Sequence, residues 1–131
     1  MNILKPEDIE EQIRLALVEY MTAYVRPLPA QYSLPNILIS ATGGSSKDTI
    51  DTFTVVLDAR AESDAEAYDS LATALGVLGT QAQEQHGALR NVTVNSLARW
   101  GVDPARPDLK LCTATVIVTA HRKAAVIQPK N

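Results

Sequence analysis

The feature that most constrains this chain lies late in it. From about Leu109 to Arg122 the residues alternate, with Cys112, Ala114, Val116, Val118 and Ala120 on one side and Leu111, Thr113, Thr115, Ile117, Thr119 and His121 on the other. A period of two belongs to a β-strand. One face of this strand is apolar and asks for a core. The other is rich in threonine, and is either wet or buried by a neighbouring copy. A strand this long needs partners, and the rest of the chain has to supply them.

The supply is limited by length. At 131 residues the chain is expected to form one domain, large enough to bury a core without metals or disulfides. Aromatic residues make up only 5%, so that core has to be mostly aliphatic. The 46% hydrophobic and 21% charged fractions exclude a disordered chain, a collagen and a disulfide scaffold. No apolar run approaches the ~20 residues of a membrane span, and no signal peptide is expected.

Helical spacing of Ile9, Ile13, Ala16, Leu17, Tyr20 and Tyr24 predicts a helix from Pro6 to Val25, closed by Pro27 and Pro29. Glu7, Asp8, Glu10 and Glu11 suit its N-terminal dipole. A strand follows over Asn36–Thr42, then a Gly43–Asp48 turn or loop. A second strand spans Ile50–Ala61, with Phe53, Val55 and Leu57 inward and Thr52, Thr54, Asp51 and Asp58 on its polar side. Ser63 and Glu66 have the spacing of a capping box and start a helix running to about Gln85. Its stripe reads Tyr68, Leu71, Leu75, Leu78 and Ala82, and Gly87 is its expected stop. A third strand spans Arg90–Trp100, and a loop with Pro104 and Pro107 leads into the fourth. The order α-β-β-α-β-β predicts an α+β fold: a mostly antiparallel four-stranded sheet with two helices packed on one face. Residues 123–131 are expected to form a tail, loosely held unless a partner orders it.

Charge is unevenly spread. Residues 1–69 carry twelve acids and five bases, residues 70–131 three acids and seven bases, for a net charge of −3. That balance does not suit a dedicated nucleic-acid binder. It is compatible with acidic and basic flanks that meet head to tail, although strands from the two halves are expected to interleave.

No set of residues suggests catalysis, metal binding or a cofactor. Gly43-Gly44-Ser45-Ser46-Lys47 has neither the spacing nor the strand-to-helix context of a phosphate loop. His86 and His121 lack partners at metal-ligand spacing. Cys112 is alone, on the core face, with no base in view. Asp51 and Asp58 share a polar strand face with nothing to order a substrate between them. Trp100 is the only tryptophan. It stands beside Arg99 and near Arg106, a combination frequent at protein interfaces, or else it caps the end of the core. Lys47 and Asp48, at the tip of the Gly/Ser segment, are the other candidate contact residues.

The sequence resembles the tail-terminator (minor tail protein U-like) family of long-tailed bacteriophages. The likeness rests on the amphipathic first helix, the Pro-led strand Leu34-Pro35-Asn36-Ile37-Leu38-Ile39, and the Phe-bearing strand Thr52-Phe53-Thr54-Val55-Val56-Leu57. The acidic helix start Ser63-Asp64-Ala65-Glu66-Ala67-Tyr68-Asp69 and the Thr/Val-rich strand Thr113–Thr119 complete it, and the match covers most of residues 6–122. The resemblance implies a virion protein without enzymatic activity, assembled in the host cytoplasm into a ring, usually hexameric. Such a ring caps the tail-tube protein on one face and offers a head-closure or neck protein the other. Acidic residues lining its lumen would keep DNA from sticking, with Asp48, Asp51 and Asp58 as candidates. Another neck or head-completion subunit, or a small ligand-binding α+β domain, are the alternative readings.

Overall fold

The computed structural model describes residues 1–130. The helices are α1 (Ile9–Leu17) and α2 (Asp64–Gln83). The strands are β1 (Asn2–Lys5), β2 (Ala23–Val25), β3 (Asn36–Lys47), β4 (Ile50–Ala61), β5 (Leu89–Asp103), β6 (Arg106–His121) and β7 (Lys123–Val126). Five strands form one mixed sheet in the order β2-β3-β4-β6-β5, and β1 pairs with β7 in a separate two-stranded ribbon. The expectation of a four-stranded, mostly antiparallel sheet is therefore wrong. The fifth strand, β2, runs parallel to β3, with Ala23 opposite Ile37 and Val25 opposite Ile39.

The long alternating strand, β6, sits between β4 and β5. Its Cys112, Ala114, Val116, Val118 and Ala120 are buried, together with Val55, Leu57 and Ala59 of β4 and Ile37 and Ile39 of β3. Ile9, Ile13, Ala16 and Leu17 of α1 and Ala67, Leu71, Ala74, Leu78 and Ala82 of α2 close over them in one cluster. The α2 stripe differs from the expected one. Ala67 and Ala74 join it as buried residues, Leu71, Leu78 and Ala82 are buried as expected, and Leu75 packs partly buried against the cluster. Tyr68 is turned outward and is half exposed. Gly76 and Gly79 lie where an added Cβ would meet nothing, so neither serves close packing on the sheet.

The first helix is shorter than the spacing predicts. Asp8 caps it, accepting the Glu11 N–H at 3.3 Å, so Pro6 precedes the helix and does not open it. The chain turns after Leu17, and residues 23–25 become β2. Pro27 disfavours a helical conformation at Arg26, and Ala23-Tyr24-Val25 finds backbone partners on the edge of β3. Where that pairing ends, Glu10 takes over. Its Oε2 accepts the Ala41 N–H at 2.8 Å and also holds Arg26 Nε at 3.0 Å. One carboxylate thus ties α1, the residue after β2 and the β3 edge together.

Two expected loops are hairpins. β3 continues through Gly43–Lys47, and the turn is only Asp48-Thr49. Gly44 is needed there, since a Cβ would come 2.5 Å from the Thr52 carbonyl oxygen. β5 and β6 extend to Asp103 and Arg106, which pair across Pro104-Ala105, so the segment predicted to be a proline-bearing loop is mostly strand. Proline can occupy the turn, and also Pro107 near the start of β6, without removing an essential ladder bond. Segments 2–5 and 123–126, for which the sequence offers no strand pattern, pair with each other. Residue 131 of the expected tail lies outside the described residues.

Ser63 caps α2 as expected, accepting the Glu66 N–H at 3.2 Å. The C-terminal stop is not Gly87. Gln85 already takes a left-handed φ of 54°, with its N–H on the Ala82 carbonyl and the His86 N–H reaching back to Gln81. Glycine holds that conformation without the Cβ penalty. Gln85→Gly is therefore expected to stabilise the fold by up to about 1 kcal/mol, read as a higher urea midpoint.

Candidate functional site

The sequence candidates divide between opposite ends of the sheet. Lys47 and Asp48 sit at the β3–β4 turn, beside Ile50, which pairs with His121. Arg106 opens β6 at the β5–β6 turn, beyond the Ala61–Lys110 pair. The rise of a strand over the length of β6 puts these turns about 50 Å apart. Asp48 adopts a φ of 59°, a conformation aspartate tolerates better than most residues. Arg106 and Asp108 form an exposed pair at 2.9 Å, and the guanidinium holds the Asp108 carboxyl below its ordinary range.

Arg99 and Trp100 are neighbours in β5 and so point to opposite faces. Arg99 lies opposite Thr113 on the face without helices, its Nη2 3.4 Å from the Thr115 hydroxyl. Trp100 lies opposite Cys112 on the helix side. There it stacks on Tyr68, with centroids 6.2 Å apart and planes 24° from parallel. Trp100 is 54% exposed, so the core-capping alternative fails. It belongs to a surface that sequence reading missed: Val94, Leu97 and Val102 of β5 are also exposed, as is Tyr68. The signal available was the density of large apolar residues along 94–102, too high for a strand whose partner covers only one side.

Two carboxylates are tied up structurally. Asp51 was expected on the polar face, but it shares the inward side with Phe53 and Val55 and is buried. Arg122 donates to both its oxygens at 3.1–3.2 Å and also reaches the Ser46 hydroxyl at 2.6 Å. Those bonds outweigh the opposing effect of burial and hold the Asp51 carboxyl below its ordinary value of 3.8. At the other end, Arg60 donates to Asp103 at 3.0 Å, with both side chains about 10% exposed. Burial pushes Asp103 upward, but Arg60 and the Ala105 N–H together outweigh it, and its carboxyl also lies below 3.8. Arg60 Nη1 and Asn36 Oδ1, at paired positions of β4 and β3, find no partner among the described residues.

Asp58 does face the uncovered side, where it accepts from the Thr113 hydroxyl at 2.6 Å. Cys112 is buried, and its thiol is pushed up by burial and by the charge of Asp64. A nucleophile needs the opposite conditions. No three His, Cys, Asp or Glu side chains come together as a metal-ligand set among the described residues. No helix is long and apolar enough to cross a membrane. A groove of about 510 Å³ lies between the start of α1 and the β3–β4 hairpin. Ile9, Phe53, Asp51 and Arg122 are among its walls. Compared with known proteins, the chain matches no family model and no curated protein.

Asp103→Ala leaves a buried guanidinium uncompensated and is expected to cost about 3–5 kcal/mol in a chemical melt. Both buried carboxylates have depressed values in the folded state. Their contribution is whole above the ordinary value of 3.8 and is lost as pH falls through the lower folded values. The melting temperature should therefore hold from pH 7 to about 5 and drop below about 4, less steeply in Asp51→Asn.

Proposed function

We propose that this chain is a self-assembling structural subunit of the tail-terminator kind, forming a ring that caps a tail tube and presents the head–tail joining surface. The observation that carries the reading is the exposed apolar run of β5, Val94, Leu97, Trp100 and Val102, along an outer strand of the sheet. Edge strands in soluble proteins are usually blunted, and large apolar side chains left exposed along one suit a contact surface. Its bulges between Val94 and Ser96 and between Ser96 and Arg99 disfavour simple strand addition, so side-chain packing is the mode that suits it.

The charge distribution supports the same reading. The acidic first half of the chain supplies β2, β3 and β4, and the basic second half supplies β6 and β5, so the halves lie side by side in the sheet. A surface whose two flanks differ in charge favours a head-to-tail contact, and such a contact closes into a ring when the rotation allows. The Thr-rich sheet face, with Thr52, Thr54, Thr113, Thr115 and Thr119, is left for the lumen or for the next ring. Of the three candidate lumen acids, Asp58 is on that face and Asp51 is removed from it by its pairing with Arg122. Another neck component would use the same surfaces at a different position in the virion.

A small-ligand domain remains the second reading, favoured by the groove beside Phe53 and Arg122. A rise in melting temperature with small organic acids, without change in oligomeric state, would support it.

Negative-stain imaging and light scattering across concentration should show closed rings. Trp100→Ala should weaken assembly about tenfold or more, with folding stability lowered by no more than about 1.5 kcal/mol from the lost Tyr68 stack. Particles that stay monomeric, alone and with tail-tube protein, would count against the ring.

A further inference from the structure

The β1/β7 ribbon is the least explained part of the molecule. Asn2–Lys5 pairs with Lys123–Val126, and the ribbon has no substantial contact with any other element. A two-stranded ribbon on its own is marginally stable in water. This one also exposes Leu4, Val126 and Ile127. Asn2, Ile3, Leu4, Ala124, Ala125 and Val126 line an open hollow of about 530 Å³, to which no other described residue contributes. The ribbon thus has the surface of a packed element without anything packed on it.

Its charge is of one sign. Lys5, Lys123 and Lys130 lie in or beside it, while residues 1–5 and 122–130 contain no carboxylate. The opposite combination stands at the far end of the sheet. Glu62, Asp64, Glu66 and Asp69, around the start of α2, are exposed and have no ion-pair partner among the described residues. Beside them are the exposed Tyr68–Trp100 stack and Val102. The ribbon cannot reach this surface in its own chain. Trp100 is opposite Cys112, and the ribbon begins after His121, about 30 Å further along β6.

We propose that the β1/β7 ribbon is an assembly arm that packs on the α2–β5 edge of a second copy of this chain. Leu4 and Val126 meet Tyr68, Trp100 and Val102, and Lys5 and Lys123 face the carboxylates at the start of α2. The inference rests on the self-assembly reading, but it is narrower: it names the two surfaces that meet. Because they are different patches, the contact repeats around a ring or along an open filament, or closes reciprocally in a dimer.

The full-length chain tests this. Leu4→Glu with Val126→Glu changes only exposed positions and should raise the dissociation constant for self-association about tenfold or more, as seen by sedimentation velocity. The cooperative melt of the subunit should be unchanged. Lys5→Glu with Lys123→Glu should weaken assembly likewise, and mixing with Asp64→Lys, Glu66→Lys subunits should restore it. Val126→Cys mixed with Val102→Cys should give a disulfide-linked pair that neither variant gives alone, Cys112 being buried. Undiminished assembly of the Leu4/Val126 variant, or absence of the mixed disulfide in an assembling protein, would overturn the arm while leaving the ring reading intact. Reciprocal dimers that need the arm would support it and overturn the ring. Wild-type protein that is monomeric at every concentration, or whose arm binds only tail-tube protein, would overturn the second copy as the occupant.

Discussion

The structure depends on a sheet that is covered on one face only. β6 and β4 put aliphatic side chains on one side and mainly threonine on the other, and both helices close over the aliphatic side. Burial of that one layer supplies the driving force for the fold. It also fixes register, since a slip of one residue in β6 would exchange Val116 and Val118 for Thr115 and Thr119. Everything else is arranged around that layer: where the helices sit, which residues of β5 are left without cover, and why the opposite face is free for other contacts.

The ion pairs mark where apolar packing gives out. Asp51–Arg122 joins β4 to the residue leading into the ribbon, and Arg60–Asp103 joins β4 to the β5–β6 turn. The first lies on the inward side at one end of the sheet; the second lies at the other end, on the face without helices, since Arg60 shares the side of Asp58. Glu10 does related work on the third side by satisfying the Ala41 N–H beyond the short β2. Replacing a whole buried pair by apolar residues is often neutral, whereas removing one partner is costly. At these three points the alternatives are a frayed hairpin or a displaced edge strand.

The surfaces left over are not uniform. β5 shows large apolar side chains, the start of α2 shows unpaired carboxylates, and the β1/β7 ribbon shows apolar residues with lysines only. Exposed apolar and singly charged patches of this kind suit contact surfaces. The proposal of a ring-forming tail structure joins these surfaces to the family resemblance, with copies of the chain meeting through two different patches.

The sequence by itself determined the elements whose evidence is local. The β6 alternation, the Ile50–Ala61 strand, the Ser63 cap and the burial of Cys112 all follow from periodicity or capping chemistry within a few residues. The placement of Arg99 and Trp100 on a strand was legible, as was their contact-prone composition. Tertiary structure decided what depends on distant partners. Residues 23–25 leave the helix because the β3 edge accepts them, and 2–5 form a strand because 123–126 lie beside them. Asp51 keeps the inward period of Phe53 and Val55, but it is held there by a pairing with Arg122, 71 positions away. Gly43–Lys47 stays extended because β4 pairs with it along its whole length. In each case the free energy comes from a contact between segments far apart in sequence, and no local pattern carries it.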